Sequence, residues 1–424
     1  MFPAFSTALS ALTADTAAID VTGNNLANLD TSGFKASQVN FYDVMAQSLG
    51  TAAGGSEIGG GVLPISTFTN YTQGSVVGTG VSTDAAIQGN GFFVLQNADN
   101  QTLYTRDGAF KMNSDGYLVD ASGNYVQGWL ADNGTVTASG PTSAIQVPTN
   151  SSMAASATTT MSMNVNLDAT SSSSANTYSA PIEVYDSLGN AQTLTVTFTE
   201  STTTPNSWSY AVTIPSSALT SGSSSSSSAS STSSVATGTL TFNSDGQLTS
   251  PAAGSPIALK ITGLADGAAT MNVNWNLYNS SGTAQITQYS EASAENSTTQ
   301  NGYAAGTLTG MTVGDGGTVS ASYSNGQDVT VAQLALANIS NPDTLTQVGN
   351  NDLAVSTSTA APVLGASGTG SLGKIEGSSL ESSTVDMATE FTNLLAYQSS
   401  YQAASKVIST ANQLMQDTIG LIQT

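Results

Sequence analysis

Hydrophobic positions near the N-terminus recur at helical spacing. From Phe5 to Leu26 the steps alternate between four and three residues, provided that Thr16 and Gly23 fill two positions. This heptad pattern is typical of a helix that packs along a coiled-coil seam, and Pro3 suits the first turn of such a helix. The apolar members of this N-terminal seam are Phe5, Leu9, Leu12, Ile19 and Leu26.

The C-terminal segment repeats the pattern over a greater length. Residues 380–424 contain no proline, and Gly420 is their only glycine. We expect one helix of about 60 Å at 1.5 Å per residue. Its seam also contains Gln398, Ser405 and Asn412, seven residues apart, and polar seam positions can fix register. The apolar members of this C-terminal seam are Met387, Phe391, Leu394, Tyr401, Ile408, Met415, Ile419 and Ile422. A second, adjacent stripe contains Val407, Ala411, Leu414, Thr418 and Leu421.

Between the two ends the pattern changes to short, alternating, β-branched strands. The clearest are residues 91–95, 117–120, 182–185, 193–198, 239–242 and 317–323. Turn signals separate them at Asp107-Gly108, Asp115-Gly116, Asp245-Gly246 and Asn325-Gly326. The sequence therefore predicts a mixed, mainly β protein. Its middle and outer domains are all-β, and long α-helices at both termini form a coiled-coil core.

Composition indicates where the domains divide. Segment 50–61 is rich in glycine, segment 149–176 is rich in Ser, Thr and Ala, and six consecutive serines at 223–228 suggest a linker or loop. We expect a nested order: 1–70 as the N-terminal part of the helical core with an extended connection, 71–147 as the first part of a middle β domain, 148–294 as an inserted outer β domain, 295–379 as the second part of the middle domain, and 380–424 as the C-terminal core helix.

Charge excludes several classes of function. Only 8% of the 424 residues are charged, six of them basic, and the net charge is −22. Scattered cations cannot neutralise nucleic-acid phosphates or anionic lipid. The absence of His and Cys excludes a Ser-His-Asp triad, a Cys nucleophile and thiolate or imidazole metal sites. We also expect no membrane insertion and no standard secretory signal, because no apolar run is long enough and no cationic stretch precedes one.

The remaining candidate chemistry is weak. Paired carboxylates could hydrolyse glycosides without His or Cys, but the candidates mostly precede glycine in turns. They are Asp84, Asp107, Asp115, Asp186 and Asp245. Asn113-Ser-Asp115-Gly116 resembles half a calcium loop and is more simply a tight turn. The glycine-rich segments lack the Lys-Ser/Thr of a phosphate loop. We therefore expect no enzyme, no cofactor and no metal.

The two helical ends are the strongest signal, and they allow two interpretations. They could pack on each other within one chain, or they could leave apolar stripes that neighbouring copies must cover. The C-terminal helix has two adjacent stripes, more than one partner can bury, which favours association with identical copies. Contacts that do not close into a ring generate a helical filament or tube.

Short motifs at both ends resemble a known family. Residues 19–35 (IDVTGNNLANLDTSGFK) look like the N-terminal signature of bacterial flagellar rod and hook proteins, and 380–387 with 397–411 resemble the matching C-terminal motif. Segments 87–94 and 104–110 are shared by both groups, whereas 181–190, 323–327 and 333–337 are similar to the hook proteins in particular. The N-terminal motif residues are Gly23, Asn24, Asn25, Asn28, Gly33 and Phe34.

The resemblance implies a structural subunit of the flagellar hook. It implies a self-assembled helical homopolymer, a curved, bendable but twist-resistant tube that transmits motor torque from rod to filament. The implied partners are further copies of the chain, a distal rod protein, a hook cap protein, a hook–filament junction protein and the flagellar type III export apparatus. The implied location is extracellular, on the basal body of the flagellum. Export by that apparatus would account for the missing secretory signal.

Other interpretations remain open at this point. A distal flagellar rod protein shares the termini but would lack the inserted domain at 148–294. A secreted β-rich hydrolase needs a cleft with paired carboxylates, and a surface adhesin would not need both helical ends.

Overall fold

The computed structural model describes residues 3–44, 47–49, 56–132, 134–147, 152–170, 175–220 and 232–422. The serine tract at 223–228 and residues 50–55 of the glycine-rich segment 50–61 lie outside the described residues, as does the side chain of Ile422.

Two helices and many short strands make up the chain. The helices are α1 (Pro3–Ala27) and α2 (Met387–Ile422). The strands up to residue 144 are β1 (Ser37–Asp43), β2 (Gln47–Leu49), β3 (Ser56–Ile58), β4 (Val62–Thr69), β5 (Val76–Gly78), β6 (Ala85–Gln88), β7 (Phe92–Gln96), β8 (Thr102–Thr105), β9 (Lys111–Met112), β10 (Leu118–Val119), β11 (Tyr125–Asp132), β12 (Thr135–Val136) and β13 (Ser143–Ala144). The next strands are β14 (Thr160–Asp168), β15 (Thr177–Tyr185), β16 (Ala191–Glu200), β17 (Ser207–Pro215), β18 (Thr232–Phe242), β19 (Leu248–Ser250), β20 (Ile257–Ile261), β21 (Met271–Asn276), β22 (Ile286–Tyr289) and β23 (Ala294–Gln300). The last are β24 (Leu308–Val313), β25 (Thr318–Tyr323), β26 (Asp328–Leu334), β27 (Leu336–Asn338), β28 (Thr346–Gly349), β29 (Asp352–Ala354), β30 (Val363–Gly365), β31 (Lys374–Gly377) and β32 (Ser379–Glu381).

One compact unit combines residues 1–149, 310–322 and 328–424. Its main sheet runs in the order β24-β25-β26-β11-β7-β8-β29-β28. Strands β5 and β6 pair antiparallel with β32 and β31, respectively. The segment that leads into α2 therefore lies beside the segment that follows β4. Strands β1 and β4 form a separate antiparallel pair beside α1.

A second compact unit contains residues 150–309 and 323–327. It is a sandwich of two sheets around one hydrophobic core. One sheet has the order β15-β16-β17-β18-β19, and the other has β20-β21-β14-β22, in which β14 also pairs antiparallel with β23. Inward residues alternate with outward ones along β15, β16 and β17, as a half-buried sheet requires. The predicted fold class, mainly β with terminal helices that pack together, is confirmed. The five-part domain division stays a prediction.

The C-terminal helix starts later than the sequence suggests. Residues 379–381 form β32, and the helix begins at Met387 because Asp386 caps it. The carboxylate of Asp386 accepts a hydrogen bond from the backbone N–H of Thr389 at 2.7 Å, as an N-cap residue does. The helix therefore spans about 54 Å instead of 60 Å.

Two turns share the same side-chain-to-backbone hydrogen bonds. The side-chain oxygen of Asn113 accepts from the backbone N–H groups of Asp115 and Tyr117, and Asn243 does the same for Asp245 and Gln247. The interpretation of these segments as tight turns is therefore confirmed.

Turn-type hydrogen bonds are present at Asp107-Gly108 as well. The backbone N–H of Ala109 donates to the Asp107 carboxylate at 3.1 Å, and the N–H of Phe110 donates to the Gly108 carbonyl at 2.9 Å. Gly108 also lies against the carbonyl of Ala85, where a side chain would collide with the backbone, so this glycine is needed for close packing too.

Replacement of Trp275 tests the core of the second unit. Its fully buried ring contacts Phe198 and Tyr210 edge-on. We expect Trp275→Ala to lower the free energy of unfolding by about 3–5 kcal/mol, because the cavity cannot collapse completely. Calorimetry of the full chain measures it, with the exposed Leu188→Ala as the control. A loss below about 1 kcal/mol, the centre of the range for ordinary substitutions, would contradict this account of the core.

Candidate functional site: the terminal helix pair and its ionic junction

The terminal helices pack on each other, and the buried side of α1 is made of small and polar residues. They are Ala8, Ala14, Asp15, Ala18, Thr22 and Asn25. Burial raises the pKa of the Asp15 carboxyl. This buried side is not the predicted N-terminal seam.

The predicted N-terminal seam lies on the flank of α1. Leu9 is exposed, and Phe5, Leu12, Ile19 and Leu26 are only half-buried. Small residues let the backbones of α1 and α2 approach closely. The larger seam residues of α1 lie beside this contact and remain partly exposed to solvent.

The C-terminal seam is divided between covered and open positions. Leu394, Ile408 and Met415 are half-buried, whereas Met387, Phe391, Tyr401 and Ile419 are exposed. The cause is geometric, because a stripe with a 3.5-residue period drifts about 20° per heptad around a straight helix of 3.6 residues per turn. One partner helix cannot cover the whole stripe.

The second stripe of α2 is also open. Val407 and Leu414 are exposed, Leu414 by 62%. With Ala403, Thr410 and Ala411 they line a shallow groove with Lys406 at its rim. The helix pair thus presents two apolar surfaces that its own chain leaves uncovered.

The N-terminal motif has one buried polar anchor. The amide of Asn25 donates to the Ser37 carbonyl at 2.8 Å and to Glu390 at 3.0 Å, and its oxygen accepts from the Ser37 N–H at 3.0 Å. This side chain joins α1 to α2 and to the start of β1. Gly23 and Asn24 are exposed, and Asn28 is half-buried.

Gly33 and Phe34 sit where the two ends of the chain meet. The φ angle of Gly33 is +68°, and a Cβ there would lie 2.6 Å from the backbone nitrogen of Asp107. Only glycine tolerates both conditions. Phe34 is buried beside Ala36 and Val385, directly before α2. The motif therefore places the turn that follows α1 against the segment that enters α2.

A buried ionic cluster fixes this junction. The Lys35 ammonium lies 2.6 Å from one carboxylate oxygen of Glu381, and Arg106 Nη1 lies 3.3 Å from the other. The backbone N–H of Gly74 donates to Glu381 at 2.7 Å, and all three charged side chains are buried. One carboxylate thus joins the N-terminal motif, the sheet body and the approach to α2.

The cations have further partners. Lys35 Nζ donates to the Thr72 carbonyl at 2.7 Å, and Arg106 Nη2 donates to the Gly89 carbonyl at 2.9 Å. The guanidinium also lies over the Phe92 ring, 5.3 Å from its centroid. These contacts reduce the energy needed to keep both charges out of water.

Burial and pairing act in opposite directions on these groups. Burial lowers the pKa of Lys35 and of Arg106, because it disfavours the charged form. The Glu381 carboxylate opposes that shift in both. Pairing with Glu381 therefore compensates in part for the burial of both cations.

Acidic groups cluster elsewhere in the same unit. The Asn124 amide donates to Asp120 and to Asp352 at 2.9 Å each. Burial, and then the charges of Asp120 and Asp107, raise the pKa of Asp352 to about 7. Of the carboxylates proposed from sequence, only Asp107 belongs to this cluster, and Asp115 and Asp245 lie in exposed turns. Asp84 accepts from Thr79 Oγ1 at 2.6 Å, and Asp186 accepts from the N–H groups of its own turn.

The described residues offer neither a metal-binding cluster nor a membrane-spanning helix. Among those residues, no three acidic side chains are arranged to hold a metal ion. Within the same ranges, neither helix combines the length and apolar character needed to cross a membrane.

Sequence reasoning missed the ionic cluster. Lys35, Arg106 and Glu381 each stand within a segment quoted for the family resemblance, and Arg106 is the only arginine of the chain. In a protein with so few charges, the presence of a charged residue inside such a segment is the sequence feature that could have predicted the cluster. Nothing local pairs them, because Glu381 lies 346 residues from Lys35.

Family profiles match four stretches of the chain. The profile of the flagellar basal body protein FlaE D2 domain matches residues 149–303, and that of the flagellar hook protein FlgE/F/G D1 domain matches 86–168. The flagellar basal body rod FlgEFG protein C-terminal profile matches 376–421, and the flagella basal body rod protein profile matches 5–35.

Characterised relatives are similar over almost the full length. The flagellar hook protein FlgE of Escherichia coli is 34% identical, over 99% of this chain and all of that protein. The flagellar hook protein FlgE of Treponema pallidum is 30% identical, over 95% of this chain and 96% of the relative. The crystal structure of Helicobacter pylori flagellar hook protein FlgE2 covers 71% of this chain and 99% of its own, at 14% identity and a TM-score of 0.48, which is too distant to bear on the fold.

Removal of the negative charge of Glu381 tests the ionic cluster. We expect Glu381→Gln to lower the free energy of unfolding by about 3–5 kcal/mol, because it leaves two buried cations without an acidic partner. Denaturant unfolding measures it. The exposed Glu291→Gln is the matched control, and its effect should stay within about 0.5 kcal/mol. Equal effects of the two variants would show that the cluster does not stabilise the fold.

The buried Asp352 carboxyl makes stability depend on pH. The pKa of Asp352 rises from 3.8 to about 7 on folding, so between these values the folded state binds more protons than the unfolded state. Stability should therefore fall as pH rises from about 4 to about 7, by up to about 4 kcal/mol at 1.4 kcal/mol per pKa unit. Asp352→Asn should remove this component of the decline, as measured by thermal unfolding at several pH values. The same slope in both proteins would contradict the assignment.

Proposed function

This chain belongs to the flagellar hook protein family, and on that premise we propose that it polymerises into a curved, bendable but twist-resistant tube that carries motor torque from rod to filament. As a member of this family it is a structural protein of the bacterial flagellum, outside the cell, and not an enzyme. The chain spans nearly all of the relatives' length, which favours a hook subunit over a distal rod protein.

The exposed apolar surface of α2 is the main support for polymerisation. Leu395 and Leu414 are each 62% exposed, and Met387, Phe391, Val407 and Ile419 are exposed as well. Full burial of one such side chain is worth about 1.5–3 kcal/mol. Several of them on one helix supply ample free energy for association, and further copies of the chain are the simplest cover.

We assign the subunit contacts of the inner tube to the two seams. Open seam positions pack against helices of neighbouring copies, and half-buried positions hold the helix pair of each copy together. The proposed contact residues are Phe5, Leu9, Leu12, Ile19 and Leu26 on α1, and Met387, Phe391, Leu394, Tyr401, Ile408, Met415, Ile419 and Ile422 on α2. The proposed role of Gly23, Asn24, Asn25, Asn28, Gly33 and Phe34 is to set the turn and the junction that hold α1 in place.

The ionic junction supports the transmission of torque. Glu381 holds segments from three parts of the chain, so a force on α1 or α2 reaches the sheet body through buried, charge-assisted bonds. Such a connection resists twist better than a flexible linker does.

Bending requires contacts that change partners. With 8% charged residues, the β surfaces offer mostly Ser, Thr and Asn side chains. Their hydrogen bonds re-form through water at small cost, whereas a salt bridge would fix one register. We propose that such polar contacts let subunits shorten on the inside of a bend and lengthen on the outside.

The remaining partners follow from the position of a hook. We propose a distal rod protein at the base, a hook cap protein during growth, a hook–filament junction protein at the far end, and the flagellar type III apparatus for export. The match of both chain ends to profiles of rod proteins supports a shared mode of stacking at the base.

A charge on the second stripe tests the assembly. Leu414→Glu should leave the fold intact, because Leu414 is exposed, and should raise the critical concentration for polymerisation at least about tenfold, because each 1.4 kcal/mol of lost contact energy is a factor of ten. Sedimentation and electron microscopy measure it. Gln402→Glu is the matched control on the same helix, exposed and outside both stripes.

The same micrographs test the shape of the tube. Curved tubes from the parent protein are expected. Straight, stiff rods would contradict the universal joint, and unchanged assembly of Leu414→Glu would contradict the role of α2.

A further inference from the structure

One face of the second unit is built mainly of threonine and serine. The inward residues of β15, β16, β17 and β18 fill the sandwich core, so the alternate residues point away from it. We call this outer surface the threonine face. Its members are Thr177, Ser179, Pro181, Glu183, Thr193, Thr195, Thr197, Thr199, Ser209, Ala211, Thr213, Thr237, Thr239 and Thr241.

The strand register makes these side chains neighbours. Thr197 pairs with Ser179 on one side and with Ala211 on the other, and Ser209 pairs with Thr239. The hydroxyls of Ser179 and Thr197 lie 3.0 Å apart. The result is a continuous surface of methyl and hydroxyl groups across four strands.

The threonine face carries almost no charge, although its unit is acidic. Among the members defined above, Glu183 is the only charged residue, and it lies toward one end of β15. The acidic residues of this unit are Asp168, Glu183, Asp186, Glu200, Asp245, Asp266, Glu291 and Glu295, and its only basic residue is Lys260.

The outer side of the other sheet is different. Asp168 ends β14, and Lys260 is exposed on β20. Asn166 is tied to the backbone of its neighbours, because its amide donates to the Glu291 carbonyl and its oxygen accepts from the Tyr289 N–H. That side therefore carries charges of both signs, whereas Glu183 is the single charged member of the threonine face.

The difference in charge between the two outer sides favours a second copy of the chain as the partner of the threonine face. The net charge of −22 makes identical copies repel each other wherever acidic surfaces approach within a Debye length, about 8 Å at physiological ionic strength. A neutral face can meet another copy without that repulsion. A basic partner would find no acidic side chain along most of it.

We propose that the threonine face is a contact surface for a second copy of this chain in the polymer. This inference rests on the proposed function, because it requires that the chain polymerises. The face offers many equivalent hydroxyl groups at regular strand spacing, so a neighbouring copy can shift along it and exchange one hydrogen-bonding partner for the next, directly or through water.

Cysteine labelling tests the proposal without interference, because the chain contains no cysteine. The variants are Ser209→Cys and Thr239→Cys on the face and Ser281→Cys as a control in an exposed turn. The rate of reaction with a maleimide is measured for monomers and for assembled tubes. We expect the two face variants to react at least tenfold more slowly in tubes, and the control to change less than twofold.

The possible outcomes separate this inference from the proposed function. If tubes form and both face variants keep their monomer rates, the threonine face is not a contact and the proposal is overturned, while the polymer itself stands. If the parent protein forms no tubes, the proposed function fails and this inference fails with it. Protection at either face position without protection of Ser281→Cys supports the contact.

Discussion

The structure of the first unit depends on one buried carboxylate. Glu381 neutralises Lys35 and Arg106 in a place where neither cation can reach water, and its backbone carbonyl also accepts from the Gly33 N–H at 2.8 Å. The two ends of the chain and the sheet body between them therefore meet at a single side chain. A buried pair of this kind adds little net stability compared with apolar packing, but it defines one geometry and penalises others strongly.

The buried ionic cluster is unusual in a chain with so few charged residues. The chain has six cations, and two of them are enclosed around one acid. Most of the other polar surface is hydroxyl and amide, which hydrogen-bonds in many equivalent ways. Strong, directional electrostatics thus hold the helices to the sheet body, and weak, interchangeable contacts cover the rest. In the bendable, twist-resistant tube that we propose, this division places rigidity within the subunit and compliance between subunits.

The helix pair shows why a single copy is incomplete. Small residues such as Ala14 and Ala18 occupy the buried side of α1, and the larger seam residues remain at its flank. On α2 the heptad stripe drifts around the helix and cannot be covered by one neighbour. The apolar repeat has a period of 3.5 residues, whereas the helix has 3.6 residues per turn. Part of the apolar stripe therefore stays exposed, and only additional helices can cover it.

The sequence by itself determined the features that depend on neighbours along the chain. Apolar spacing defined both terminal helices, alternation defined the strands, and Asn113 and Asn243 defined their turns, because these signals act over a few residues. Only the tertiary structure decided which side of α1 is buried, how Asp352 joins Asp107 and Asp120, and that Glu381 binds cations 346 and 275 residues away. The physical reason is that periodicity specifies a face but not its partner, and burial of a charge is decided by segments that meet only after the chain has folded.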